Sequence, residues 1–255
     1  MTVNSIKTPE ILLVTNKGGA YGMGHFYRMN LLSEHLKKMK IASDIALGSE
    51  LKSISGNYKL IILDSRDDNF PEILMNQKSK YNYYVALDNR GEGRKQCDIV
   101  WDTLPHFEMN LTELKNVLKN CILDPEIFQI KGRPDKAKII KTTAEEVESG
   151  KLEIDLIQKP LSSRDPLAPN EFHKRLIESH KVATYYGQTF FEALYLGKEI
   201  YLFDISEYHK RLSDWFIPNW EAQPEIVHFF DGQGLHRLAV LARSIVSGVL
   251  DFPMM

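Results

Sequence analysis

Short apolar runs alternate with stretches of helical periodicity along most of this chain. Ile11–Val14 reads as a short buried strand, followed by a glycine-rich stretch holding Gly18, Gly19, Gly22 and Gly24. Phe26, Met29, Leu32, Leu36 and Met39 then recur at spacings of three and four, which places them on one face of a helix. The pattern predicts further strands over 41–47, 59–63, 83–87 and 98–101. Helices are expected over 51–55 and 71–80. Strands at regular intervals with helices between them predict a parallel sheet.

Such sheets place ligands at the carboxyl ends of their strands. Asp64, Asp88 and Asn89 fall there. Turns also favour polar residues, so Asp64 by itself reads as a strand-ending residue, while Asp88 suits either role.

A helix with an Asn110 cap is expected over 110–120. Residues 123–135 carry two prolines and a glycine and read as an inter-domain link. The expected domains are 1–125, with the glycine loop and His25, and a shorter 126–255. In the second, strands are expected over 138–140, 152–157, 181–185 and 199–203. A short acidic helix over 143–149, a loop over 162–169 and a helix over 171–179 fill the first gaps. Tyr186–Thr189 reads as a turn, with Thr189 and Glu192 as the capping box of a helix that Gly197 ends. A helix from about 207 to Phe216 and an amphipathic helix from Leu235 to Val249 finish the chain.

Composition adds exclusions. A formal charge of −2 gives no reason to expect nucleic acid or an anionic membrane as partner. No apolar run approaches the ~18 residues of a membrane span, and the first residues lack the apolar core of a signal peptide. Cys97 and Cys121 form neither a disulfide framework nor a metal spacing, which fits a reducing cytoplasm.

Candidate chemistry gathers at the first glycine loop. Strand, glycine loop and helix make an anion pocket, because glycine lets backbone approach a ligand and helix-start N–H groups point at negative charge. No Gly-Lys-Ser/Thr follows, so this is not a P-loop. Gly24 is followed by His, Phe and Tyr, so it is not a dinucleotide fingerprint either. His25 stands at the start of the helix with Arg28 one turn on. His25 is read here as a base or as a capping residue.

Three segments carry a family resemblance. GMGHFYRMNLLSEHL resembles the glycine-x-glycine-His-x-x-Arg-x-x-x-Leu start of the UDP-sugar hydrolase of the pseudaminic acid pathway and its spore-coat polysaccharide relatives. YYVALDNRGEG with CDIVWD resembles that family's strand, acidic loop and following strand. TYYGQTFFEALYLGKEIYLF resembles its glycine-glycine-Ser-Thr-x-x-Glu segment. The order matches over most of residues 11–216.

The resemblance implies a GT-B glycosyltransferase-like α/β fold, two Rossmann-like domains with parallel sheets facing a cleft. It implies a hydrolase or glycosyltransferase acting on a UDP-sugar for surface polysaccharide, with no metal and no cofactor. His25 would be the base, and Gly22, Gly24 and Arg28 its supports. Asp88 and Asn89 would lie near the ligand. Gly187, Gln188 and Thr189 would hold the diphosphate and Glu192 the ribose, with Tyr208 and His209 at the family's Asn-Gln positions. The chain departs from the pattern at Tyr186, which replaces a glycine, at Tyr208-His209, and at 141–146 (KTTAEE), which has no glycine. A GT-B-like protein that has lost nucleotide binding and serves as a sugar-binding or partner subunit is the alternative.

Overall fold

The computed structural model describes residues 9–16, 24–53, 57–64, 83–158 and 169–250. Gly18, Gly19, Gly22, the helix expected over 71–80 and most of the loop over 162–169 lie outside them. The chain is α/β and divides into two compact units, one of residues up to Asp102 together with those from Leu235 onward, the other Thr103–Gly234.

The first unit holds a five-stranded parallel sheet. Its strands are β1 (Ile11–Thr15), β2 (Ser43–Leu47), β3 (Leu60–Asp64), β4 (Tyr83–Leu87) and β5 (Ile99–Trp101), in the order β2-β1-β3-β4-β5. β1 and β3 are apolar along nearly their whole length because both are central and buried on both faces. Thr15 pairs with Asp64 in register, so both end at the same edge of the sheet.

Helix α1 (Gly24–Lys38) packs on this sheet through Met29, Leu32 and Leu36, all fully buried. Burying three such side chains contributes roughly 1.5–3 kcal/mol each. His25 and Arg28 precede them on that face, so the periodicity that docks the helix also carries two polar side chains inward.

The second unit contains α2 (Leu111–Asn120), α3 (Pro125–Phe128), β6 (Lys138–Lys141), α4 (Ala144–Glu148) and β7 (Leu156–Ile157). It continues with α5 (Pro169–Glu178), β8 (Lys181–Thr184), α6 (Gln188–Tyr195), β9 (Glu199–Leu202) and α7 (Glu207–Ala222). Its four strands are parallel in the order β6-β9-β8-β7. The core is aromatic. Tyr186 stacks on Phe190 at 5.4 Å, and Phe190, Phe191 and Phe216 meet edge to face within 5.6 Å.

Four expectations are corrected. The boundary falls after Asp102 rather than at 125, and the last helix, α8 (Gly234–Val246), groups with the first unit from Leu235 on. The expected link over 123–135 is instead packed structure. Pro125 opens α3, Ile127 is fully buried, and the Arg133 amide donates to the Tyr195 carbonyl at 2.9 Å. Proline and glycine serve here as a helix start and a close contact, since a Cβ on Gly132 would sit 2.4 Å from the Tyr195 ring. The strand expected over 152–157 shortens to two residues.

α7 also runs on past Phe216, through Pro218, to Ala222. The Asn219 side chain donates to the Trp215 carbonyl at 2.7 Å within the turn that Pro218 interrupts.

Gly197 follows α6 in the left-handed region, at φ +72°, and closes it with two returning bonds, Gly197 N–H to Leu194 and Lys198 N–H to Ala193. A Cβ there would meet the Arg133 carbonyl oxygen at 2.6 Å. Gly197→Ala is expected to lower the stability of the second unit by about 2 kcal/mol or more, read by urea denaturation. An unchanged midpoint would remove this reading of the turn.

Candidate active site

The carboxyl edge of the first sheet carries a buried ionic cluster. Asp64 ends β3 with no exposed surface. Its Oδ1 lies 2.6 Å from His25 Nδ1 and also accepts from Arg28 Nη2 at 2.6 Å, while Oδ2 accepts from Arg28 Nε at 2.9 Å. Arg28 Nη1 donates to Asp88 Oδ2 at 2.7 Å. One guanidinium fork therefore ties the ends of β3 and β4 to the first turn of α1.

The charges follow from the contacts. Burial works against ionisation of Asp64, but Arg28 and then His25 outweigh it and hold the carboxyl below its ordinary range. Burial likewise works against the Arg28 charge, and Asp64 and Asp88 more than offset it, so its pKa is raised. An ionised Asp64 can only accept hydrogen bonds, so His25 Nδ1 must carry the proton in that contact. A neutral His25 is then fixed with its lone pair on Nε2. This is the arrangement of a general base oriented by a carboxylate.

Asp88 adopts φ +48°, a left-handed conformation that aspartate tolerates better than most residues. Its bond to Arg28 fixes the carboxylate beside the dyad. Asn89 is buried and accepts the Gly91 amide at 3.1 Å, which shapes the loop after β4. Gly24 is the exposed first residue of α1, with open space where a Cβ would stand, and Gly22 lies outside the described residues. His25, Arg28 and Asp88 are thus brought together. The partner that sequence reading passed over is Asp64.

Arg28 stands at the centre of this cluster. It is 4 % exposed and both of its faces are engaged by carboxylates, so it organises the cluster and presents no free donor fork to an anion.

In the second unit, α6 starts after Gly187 at the carboxyl end of β8, with no side-chain oxygen capping it. The Thr189–Glu192 capping box is therefore not formed. Thr189 lies within the helix and Glu192 turns inward, 1 % exposed. Gln188 Nε2 donates to Glu192 Oε1 at 3.2 Å and also to the Ile122 carbonyl. Glu192 Oε2 lies 3.7 Å from His173 Nε2, whose Nδ1 is 3.6 Å from Asp124. Burial, with Asp124 adding to it, pushes the Glu192 carboxyl up to about 8. Burial lowers His173 against the pull of Asp124 and Glu126.

The real capping boxes are elsewhere. Thr143 accepts the Glu146 amide while Glu146 accepts the Thr143 amide, so a carboxylate of this chain occupies the start of α4. This is the 141–146 segment that lacks glycine. Tyr186 does not stand over a ligand position. It is 3 % exposed, its ring lies in the aromatic core, and its hydroxyl donates to the Pro105 carbonyl at 2.9 Å.

Tyr208 is exposed, and His209 packs edge-on against Tyr185 with Nδ1 at 2.7 Å from the Ser206 hydroxyl. The Ser206 hydroxyl also accepts the His209 amide, capping α7.

No group of three or more His, Cys, Asp or Glu is placed to hold a metal among the described residues, and none of their helices is long and apolar enough to cross a membrane. No known protein family, curated protein or solved structure matches this chain.

Proposed function

We propose that the chain is a GT-B-like enzyme that uses His25 as general base to attack a UDP-sugar, releasing UDP. The observation that carries this reading is the 2.6 Å contact of His25 Nδ1 with a buried, ionised Asp64, which leaves Nε2 as a proton acceptor. His25 Nε2 takes a proton from water or a sugar hydroxyl, and the oxygen forms a bond to the anomeric carbon. The bond from that carbon to the diphosphate breaks, and UDP departs with the electron pair. The imidazolium formed is stabilised by Asp64, and the cluster of Asp64, Asp88 and Arg28 carries one net negative charge beside it.

The test is release of UDP from a panel of UDP-sugars. His25→Ala is expected to lower turnover by about 10²–10⁴-fold with UDP affinity, read by titration calorimetry, unchanged. Equal turnover by wild type and His25→Ala would end the proposal.

A second reading is favoured by the enclosure of Glu192 and by Glu146 filling the α4 start. On it, the chain keeps the architecture without nucleotide binding and serves as a sugar-binding or partner subunit. Absence of UDP binding at millimolar concentration would select it.

A further inference from the structure

A pair of histidines outside the cluster described above joins two helices of the first unit. His35 lies in the last turn of α1 and His236 in the first turn of α8, 201 residues apart in the chain. His35 Nε2 and His236 Nδ1 are 3.2 Å apart, and the rings meet edge to face with centroids at 5.5 Å. His236 is exposed and His35 half-buried, so solvent reaches the pair.

We propose that His35 and His236 form a two-histidine site for a divalent transition-metal ion of the zinc class, bridging α1 and α8 and completed by water. Two nitrogens bound to zinc at about 2.0–2.1 Å in a tetrahedral arrangement stand about 3.3–3.4 Å apart; the pair is at 3.2 Å with the two nitrogens facing each other, so each ring turns its lone pair toward the ion on binding. Imidazole donors select zinc, copper or nickel over calcium and magnesium, which take oxygen ligands. No third His, Cys, Asp or Glu joins the pair among the described residues, so the site is open and exchangeable rather than a closed structural cage.

The consequence is mechanical. α8 returns to the first unit after the chain has built the whole of the second, and Lys59 Nζ holds its far end by donating to the Val246 carbonyl at 3.1 Å. A metal at His35 and His236 fastens the near end. A hydrogen-bonded pair of the same separation keeps a proton on one of the facing nitrogens, and metal binding moves that proton to the other nitrogen of the same ring.

The experiment is titration of the full chain with Zn²⁺ alone, by calorimetry and by thermal unfolding, for wild type, His35→Ala, His236→Ala and the double variant. Both side chains reach the surface, so the variants are expected to fold. Wild type should take up one ion with micromolar affinity. Each single variant should weaken binding at least ~10-fold, and the double variant should add little more. At a hundredfold excess over the wild-type dissociation constant, the unfolding midpoint of the first unit should rise by about 5–10 °C in wild type and by at most about half as much in any variant. Binding that survives His236→Ala unchanged, or no saturation below millimolar Zn²⁺, would overturn the proposal and leave a hydrogen-bonded histidine pair.

Discussion

Arg28→Met is expected to destabilise the first unit by about 3–5 kcal/mol, the usual consequence of removing one partner from a buried ion pair. The reason is what it leaves behind. Asp64 has no exposed surface and would lose both of its guanidinium bonds, and Asp88 would lose its bond to Arg28 while still in a left-handed conformation. Methionine fills much of the arginine stem, so the loss reports on charge rather than on a cavity.

The pH dependence has a definite sign. The Asp64 pKa is depressed in the folded chain, so its contribution is present above the ordinary carboxylate range and is lost as pH falls through the lower folded value. Urea denaturation of wild type, Arg28→Met, Asp64→Asn and the double variant forms a thermodynamic cycle. The double variant should lose less than the sum of the singles, because the uncharged amide introduced by Asp64→Asn no longer strands a buried charge. Additive losses would show that the cluster is not coupled.

Glu192→Gln carries the second large effect, and in the stabilising direction. An unfolded glutamate titrates near 4.5 and the folded one at about 8, raised chiefly by burial. The folded chain therefore holds a proton that the unfolded chain has released. Stability of the second unit is fully present below about 4.5 and falls as pH rises from there through about 8. The loss by pH 8 is on the order of 3–5 kcal/mol.

Glutamine keeps an acceptor for Gln188 and does not titrate. The variant should match wild type near pH 4, exceed it by that amount at pH 8 to 9, and flatten the slope between. Parallel pH profiles for the two proteins would mean that Glu192 remains ionised in place. The same variant bears on the proposed nucleotide site, since retained UDP binding would show that the Glu192 charge is not what holds a ribose.

Local patterns in the chain were enough for the parallel α/β character, because strand runs and helix periodicity are properties of adjacent residues. β1, β3 and β4, the buried face of α1 and the turn at Gly197 all lie where the spacing of apolar residues and glycine places them. His25 was legible as a candidate for the same reason, since it stands at a helix start after a strand.

Tertiary structure decided what these residues do. Asp64 looks like an ordinary strand-ending aspartate until the register of β1 and β3 brings it under α1, 36 residues from Arg28 and 39 from His25. Arg28 stands one turn after His25 in the sequence, and only the fold brings two carboxylates to it. Glu192 reads equally as cap or ligand until packing encloses it and raises its pKa. Tyr186 reads as an obstacle to a phosphate until its ring finds an aromatic core. The pairing of His35 with His236 depends on the last helix returning to the first unit. Charge state, partner choice and burial depend on residues far apart in sequence, and only the folded chain brings those residues together.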